Sequence, residues 1–272
     1  MSATPQKSTK VTVRSLQQKK QAGQKIVCLT AYDASFARLL DQADVDVVLV
    51  GDSLGMVIQG LDSTLPVTVD EMRYHSEAVS RGLSRALLIV YMPFLSYSTP
   101  QQALANAGVF MKQAGAQMVK LEGGSEQADI VHSLTQQGIP VCAHLGLQPQ
   151  RVHKLGGDRV QGRDDAAAEH MLSEALTLEQ AGADMMLLEC VPDRLARRIT
   201  EALAIPVIGI GAGPGCDGQI LVLYDILGIS FGRMPKFSRN FLSGADSVEA
   251  AITAYAEAVR AGHFPAVEHT FE

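Results

Sequence analysis

The chain has 272 residues, 47% of them hydrophobic and 19% charged, with a mean hydropathy of +0.10. That apolar content excludes a disordered chain, and the length suits a single large domain that folds without disulfides or a structural metal. The net charge is −6, and because Lys7, Lys10, Arg14, Lys19, Lys20 and Lys25 all precede the first acid, the body is more acidic still. Such a surface argues against phosphate-backbone binding.

Residues 1–10 contain no apolar run of the secretory type and are read as a flexible arm, and the six basic residues of 1–32 as a solvated start; residues 11–272 are read as one domain. A leading helix is expected over Val11–Gln24, followed by a strand at Ile26–Thr30, a helix at Ala34–Gln42 and a strand at Asp46–Val50. A helix at Val69–Arg81, a strand at Ala86–Tyr91, a helix at Gln101–Gln113 and a strand at Gln117–Leu121 come next. Then follow helix Glu126–Gln137, strand Pro140–Ala143, helix Asp165–Gln180, strand Asp184–Leu188, helix Asp193–Leu203 and strand Pro206–Ile210. The pattern predicts a helix over Gly218–Leu227, a weak eighth strand at Gly228–Phe231 and a trailing helix at Ser247–Ala261. Apolar runs alternating with helical periodicity mean βαβ units and a parallel sheet. Eight such units predict an α/β fold, a closed (β/α)8 TIM barrel with an extra N-terminal helix.

The longest uncharged stretch, Ala86–Met111, is interrupted by Pro93, Pro100 and a polar cluster, so no membrane span is expected. Cys28, Cys142, Cys190 and Cys216 form no CxxC pair and read as reduced, buried thiols of a cytoplasmic protein.

Three segments, 43–52, 114–122 and 181–189, share one pattern: a small-residue turn, an apolar strand and a terminal carboxylate. The carboxylates are Asp52, Glu122 and Glu189, on the second, fourth and sixth strands. Active sites of such barrels lie at the C-terminal strand ends. Strand alternation puts Lys120 on the side of Glu122, one layer below it, and His144 ends the fifth strand at the same rim. So much charge at one opening is seldom purely structural. Asp52 could instead cap a helix, and His144 could be a structural histidine. The glycine-rich run 209–215 reads either as a phosphate cradle or as a tight turn.

The blocks Leu29-Thr-Ala-Tyr-Asp33, Val50-Gly-Asp-Ser-Leu-Gly55, Ser63-Thr-Leu-Pro-Val-Thr68, Val119-Lys-Leu-Glu-Gly-Gly124, Ala143-His-Leu-Gly-Leu147, Val160-Gln-Gly-Arg163, Leu188-Glu-Cys-Val191, Ile208-Gly-Ile-Gly-Ala-Gly213 and Pro235-Lys-Phe237 stand in one order. Together they resemble the ketopantoate hydroxymethyltransferase family. The resemblance implies a barrel of the phosphoenolpyruvate/pyruvate type, assembled as a homodecamer. It implies a hydroxymethyl transfer from methylenetetrahydrofolate to 3-methyl-2-oxobutanoate through a Mg2+-stabilised enolate, giving 2-dehydropantoate for pantothenate synthesis. Asp52 and Glu122 would serve the metal, Asp52, Ser53 and Lys120 the keto acid, and Glu189 would be the general base.

Two positions depart from the family pattern. Tyr91, in Val90-Tyr-Met-Pro-Phe94, stands where the family carries an Asp that is a second metal ligand. Asp158, in Gly156-Gly-Asp-Arg159, stands where the family has Tyr. Either the ion is held with more water, or Asp158 reaches it in place of Tyr91. A carbon–carbon lyase of the same superfamily and a metal-impaired paralogue are the alternative functions.

Overall fold

Among the described residues, eight apolar runs form short parallel strands: β1 (Ile26–Thr30), β2 (Val47–Val50), β3 (Leu87–Tyr91), β4 (Met118–Glu122), β5 (Val141–Gly146), β6 (Met185–Glu189), β7 (Val207–Ile210) and β8 (Gly218–Leu221). Each pairs with its neighbours in sequence order, and β8 pairs back onto β1, so the sheet closes into a barrel. The computed structural model describes residues 9–157, 159–232 and 234–272, apart from the Leu155 side chain. Residues 1–8 of the expected arm and Asp158 lie outside the described residues.

Helix α1 (Val13–Gln21) precedes the barrel. In chain order come α2 (Ala34–Gln42), α3 (Leu54–Val57), α4 (Val69–Gly82), α5 (Pro100–Lys112), α6 (Ala128–Gln136), α7 (Val152–Leu155), α8 (Asp165–Gln180), α9 (Asp193–Ala202), α10 (Leu223–Ile226) and α11 (Val248–Arg260). Local chemistry sets their starts. The Asp33 carboxylate accepts the N–H groups of Ser35 and Phe36 ahead of α2, and Thr68 and Glu71 form a capping box on α4. Thr99 caps α5, with Pro100 in its first turn. These side chains satisfy donors that a helix cannot satisfy itself.

The eighth βα unit corrects the sequence reading. The strand is Gly218–Leu221, inside the expected helix, and only Leu223–Ile226 is helical there. Segment 228–231 forms no strand; Ile229 and Phe231 are 52% and 83% exposed, which a barrel strand does not allow. The connection from β7 to β8 is a glycine-rich loop rather than a helix. It can be this short because Gly218 pairs with Ile208, near the start of β7, leaving little distance to retrace. A run such as Ile220-Leu-Val-Leu223 followed by helix formers carries no periodicity that separates strand from helix.

Helix α1 closes the far end of the barrel. Lys19 reaches Asp46 just before β2, and Lys20 reaches Asp217 just before β8, each at 2.8 Å. Arg85 joins Asp46 at 3.1 Å, and the Val27 N–H donates to the same carboxylate. The expectation of solvated basic residues is therefore wrong for Lys19 and Lys20. Acids at the N-terminal strand ends recruit them to plug the barrel floor, the face where such folds concentrate stability rather than chemistry.

Candidate active site

Alternation along β3 to β6 turns Tyr91, Lys120, Glu122, His144 and Glu189 to one face at the C-terminal strand ends. The pairing sets Tyr91 beside Lys120, Glu122 beside His144, and Gly146 beside Glu189. Asp52 lies just beyond β2, and Asp52, Lys120, Glu122 and His144 are all buried. Ser53 stands at the N-cap of α3 without a side-chain cap bond, and its hydroxyl meets Tyr32 Oη at 2.8 Å. The expected residues converge on one opening.

Two residues that sequence reading missed knit them together. Gln150 Nε2 donates to Asp52 Oδ2 at 2.8 Å and to the Met92 carbonyl at 3.0 Å, and its backbone N–H donates to Glu122 Oε2 at 3.2 Å. Tyr97 Oη donates to Gln150 Oε1 at 2.6 Å and accepts the Glu122 N–H at 3.3 Å. Gln150 follows β5 in the turn Pro149–Arg151. Gly146 makes that path feasible: its φ is +96°, and a Cβ there would lie 2.2 Å from the Glu189 carbonyl. A glutamine in a polar loop gives no signal of its own in sequence.

Tyr91 Oη donates to Glu122 Oε1 and lies 3.2 Å from His144 Nδ1. Lys120 Nζ sits 3.2 Å from the centre of the Tyr91 ring, a cation–π contact, and 3.1 Å from His144 Nδ1. An ammonium can only donate, so Nδ1 accepts from it and the network assigns the His144 proton to Nε2. That nitrogen faces Glu189 Oε2 at 3.5 Å. His144 is thus a member of the site, which its position alone could not decide. Burial and then Lys120 hold its pKa well below the usual histidine range, so it stays neutral.

Burial drives the carboxyls of Asp52 and Glu122 above the ordinary carboxylate range, and Asp52 raises Glu122 further by charge repulsion. Lys120 is pushed down by burial against the pull of both acids. Glu189 is more open, with 17% of its side chain exposed. The four cysteines are buried thiols, and burial pushes Cys142 and Cys216 up to about 12, so they serve as core.

The glycine-rich run takes the tight-turn role. A Cβ at Gly211 would meet the Phe237 and Phe271 rings, and at Gly213 it would lie 2.2 Å from an Asp193 carboxylate oxygen. That acid is ion-paired with Arg197 at 3.1 Å, and the Arg197 side chain lies against Gly215. Among the described residues no three His, Cys, Asp or Glu side chains are grouped as a metal site. Asp52 and Glu122 offer two hard carboxylates bridged by one residue. That donor set fits Mg2+, which needs only one or two protein carboxylates and keeps several waters.

Residues 10–267 match the model of the family described as ketopantoate hydroxymethyltransferase. A 3-methyl-2-oxobutanoate hydroxymethyltransferase of Alkalilimnicola ehrlichii is 61% identical over 267 residues, covering 98% of this chain and 96% of the relative. One from Nitrosococcus oceani is 58% identical over 262 residues, covering 96% and 99%. Among solved structures, a 2,3-dimethylmalate lyase of the PEP mutase/isocitrate lyase superfamily superposes with a TM-score of 0.55 at 17% identity, covering 77% of this chain and 80% of its own; this likeness concerns the fold. On the family match and on identity along nearly the whole chain, the protein belongs to the ketopantoate hydroxymethyltransferase family.

Proposed function

We propose that the barrel mouth transfers a hydroxymethyl group from methylenetetrahydrofolate to 3-methyl-2-oxobutanoate, giving 2-dehydropantoate. The observation that carries this reading is the convergence of Asp52, Lys120, Glu122 and Glu189 on one opening, with the two buried acids bridged by Gln150. Lys120 supplies a buried cation for the keto acid's carboxylate, and Asp52 and Ser53 line the same end. Glu189 takes the proton from C3, leaving the electron pair delocalised onto the C2 oxygen; C3 then attacks the donor's methylene carbon, whose two C–N bonds break in turn. Water supplies the hydroxyl, and the C3 proton and one water proton end on the two folate nitrogens. Asp52 and Glu122 would hold Mg2+, which when bound supplies Lewis-acid stabilisation of that charge. His144 stays neutral and keeps its Nε2–H toward Glu189, favouring the ionised base.

Release of tetrahydrofolate in the presence of 3-methyl-2-oxobutanoate tests the reaction as a whole. Glu189→Gln tests the base: turnover should fall by ~10²-fold or more while keto-acid affinity stays near that of the parent. Exchange of the C3 hydrogen for deuterium without folate isolates the proton step. Exchange at the parent rate in this variant would remove Glu189 from the role.

The same reading carries a decameric assembly and a cytoplasmic location, open to sedimentation and cell fractionation. No helix among the described residues is long and apolar enough to cross a membrane.

A further inference from the structure

We infer that Gln150 is a positioning residue that fixes the spacing of Asp52 and Glu122, and that Tyr97 fixes Gln150 in turn. The inference rests on the reading of the two acids as the Mg2+- and keto-acid-binding pair.

The geometry is a closed circuit. The Gln150 side chain reaches Asp52, its backbone N–H reaches Glu122, and Tyr97 joins the Gln150 amide oxygen to the Glu122 N–H. The amide has only one orientation that satisfies it. Its NH2 faces two acceptors, Asp52 Oδ2 and the Met92 carbonyl, while its oxygen faces the Tyr97 hydroxyl. Gln150 is 4% exposed, so water does not replace a lost partner. Asp52 and Glu122 come from different strands, and both gain electrostatically by moving apart. An amide held on both sides resists that motion. A first shell is only as well placed as the groups that hold it.

The test titrates Mg2+ and 3-methyl-2-oxobutanoate separately by calorimetry into the full-length parent, Gln150→Met, Tyr97→Phe and the double variant, with thermal unfolding alongside. A residue that only supports the fold would lower the melting temperature and leave both dissociation constants unchanged. Positioning predicts a Mg2+ Kd raised by ~10-fold in Gln150→Met and by ~3-fold in Tyr97→Phe. The double variant should fall short of the product of the two single effects, because one of the two Tyr97 contacts acts through the amide and only the Glu122 N–H is held independently. A folded Gln150→Met that binds Mg2+ as the parent does, or effects that multiply in the double variant, would overturn the inference. If Gln150→Met fails to fold, Tyr97→Phe decides: a raised Kd supports the inference and an unchanged one sinks it. A parent that binds no Mg2+ overturns the metal reading instead. The inference is then judged on keto-acid affinity, where the same order of variants is expected and equal affinities reject it.

Discussion

Tyr91 puts a phenol where the family resemblance implies an acid, and its surroundings bear on what that phenol can do. The hydroxyl donates to Glu122, the ring lies under the Lys120 ammonium, and burial followed by the charge of Glu122 keeps the phenol protonated. A neutral phenol is a poor Mg2+ ligand beside a carboxylate. Tyr91→Asp should therefore lower the Mg2+ concentration for half-maximal activity, by ~10-fold if the added charge contributes about 1.4 kcal/mol. The competing outcome is that Asp158 already serves the ion. Asp158→Asn would then raise the Mg2+ requirement sharply, and Tyr91→Asp would crowd the acids and reduce activity. Titrating both variants with Mg2+ separates the two. Lys120→Met removes the cation while keeping the stem. It should raise the keto acid's KM by ~30-fold, equivalent to about 2 kcal/mol for an unpaired buried carboxylate. An unchanged KM would reduce Lys120 to balancing charge among the acids.

Elements are tied to one another by single acids, and Asp41 at the end of α2 is an instructive case. Its carboxylate accepts the Ser84 hydroxyl at 2.5 Å and the N–H groups of Ser84, Arg85 and Ala86, fastening α2 to the entry of β3. Burial alone would raise its pKa, but these donors outweigh it and hold it below the ordinary aspartate value. The sign follows: with the folded pKa depressed, the stabilisation is fully present above the unfolded value of about 3.9 and is lost as pH falls through the folded one. Asp41→Asn should cost ~1–2 kcal/mol in urea unfolding at pH 7. The gap between parent and variant should close as pH drops below about 4. A gap that persists at pH 3 would show that shape, and not charge, holds this joint. At this scale the sequence was most legible where an element carried both a cap and a period, as α2 and α8 do, and their bounds match the expected ones. The one-turn helices α3 and α7 were not legible, since four residues cannot display a 3.6-residue repeat. At the site, Asp52, Glu122 and Glu189 announced themselves because each follows or closes an apolar run. Gln150 and Tyr97 did not, because their roles arise only when loops from different strands meet.

For the whole molecule the decisive event is closure, and closure lies in the one unit the pattern misplaced. The seam joins β1 to β8, with Ile26 facing Gly218 and Cys28 facing Ile220. At Gly218 a Cβ would lie 2.4 Å from the Ile26 carbonyl oxygen and 2.8 Å from both the Ile26 Cβ and the Ile208 side chain. Backbone is among those atoms, so rotamer changes cannot clear the space. Gly218→Ala should destabilise the barrel by ~1–3 kcal/mol through overpacking, although alanine disfavours the unfolded chain relative to glycine. Gly108, within α5, supplies the control: nothing lies within 4 Å of a Cβ there, so Gly108→Ala should stabilise by ~0.5–1 kcal/mol. Urea unfolding measures both, and amide exchange shows where the effect falls. Loss of protection should concentrate at 26–29 and 218–221 if the seam opens first. If Gly218→Ala matches the Gly108→Ala gain, or the lost protection spreads evenly over the eight strands, the seam is not the tight joint that these contacts describe.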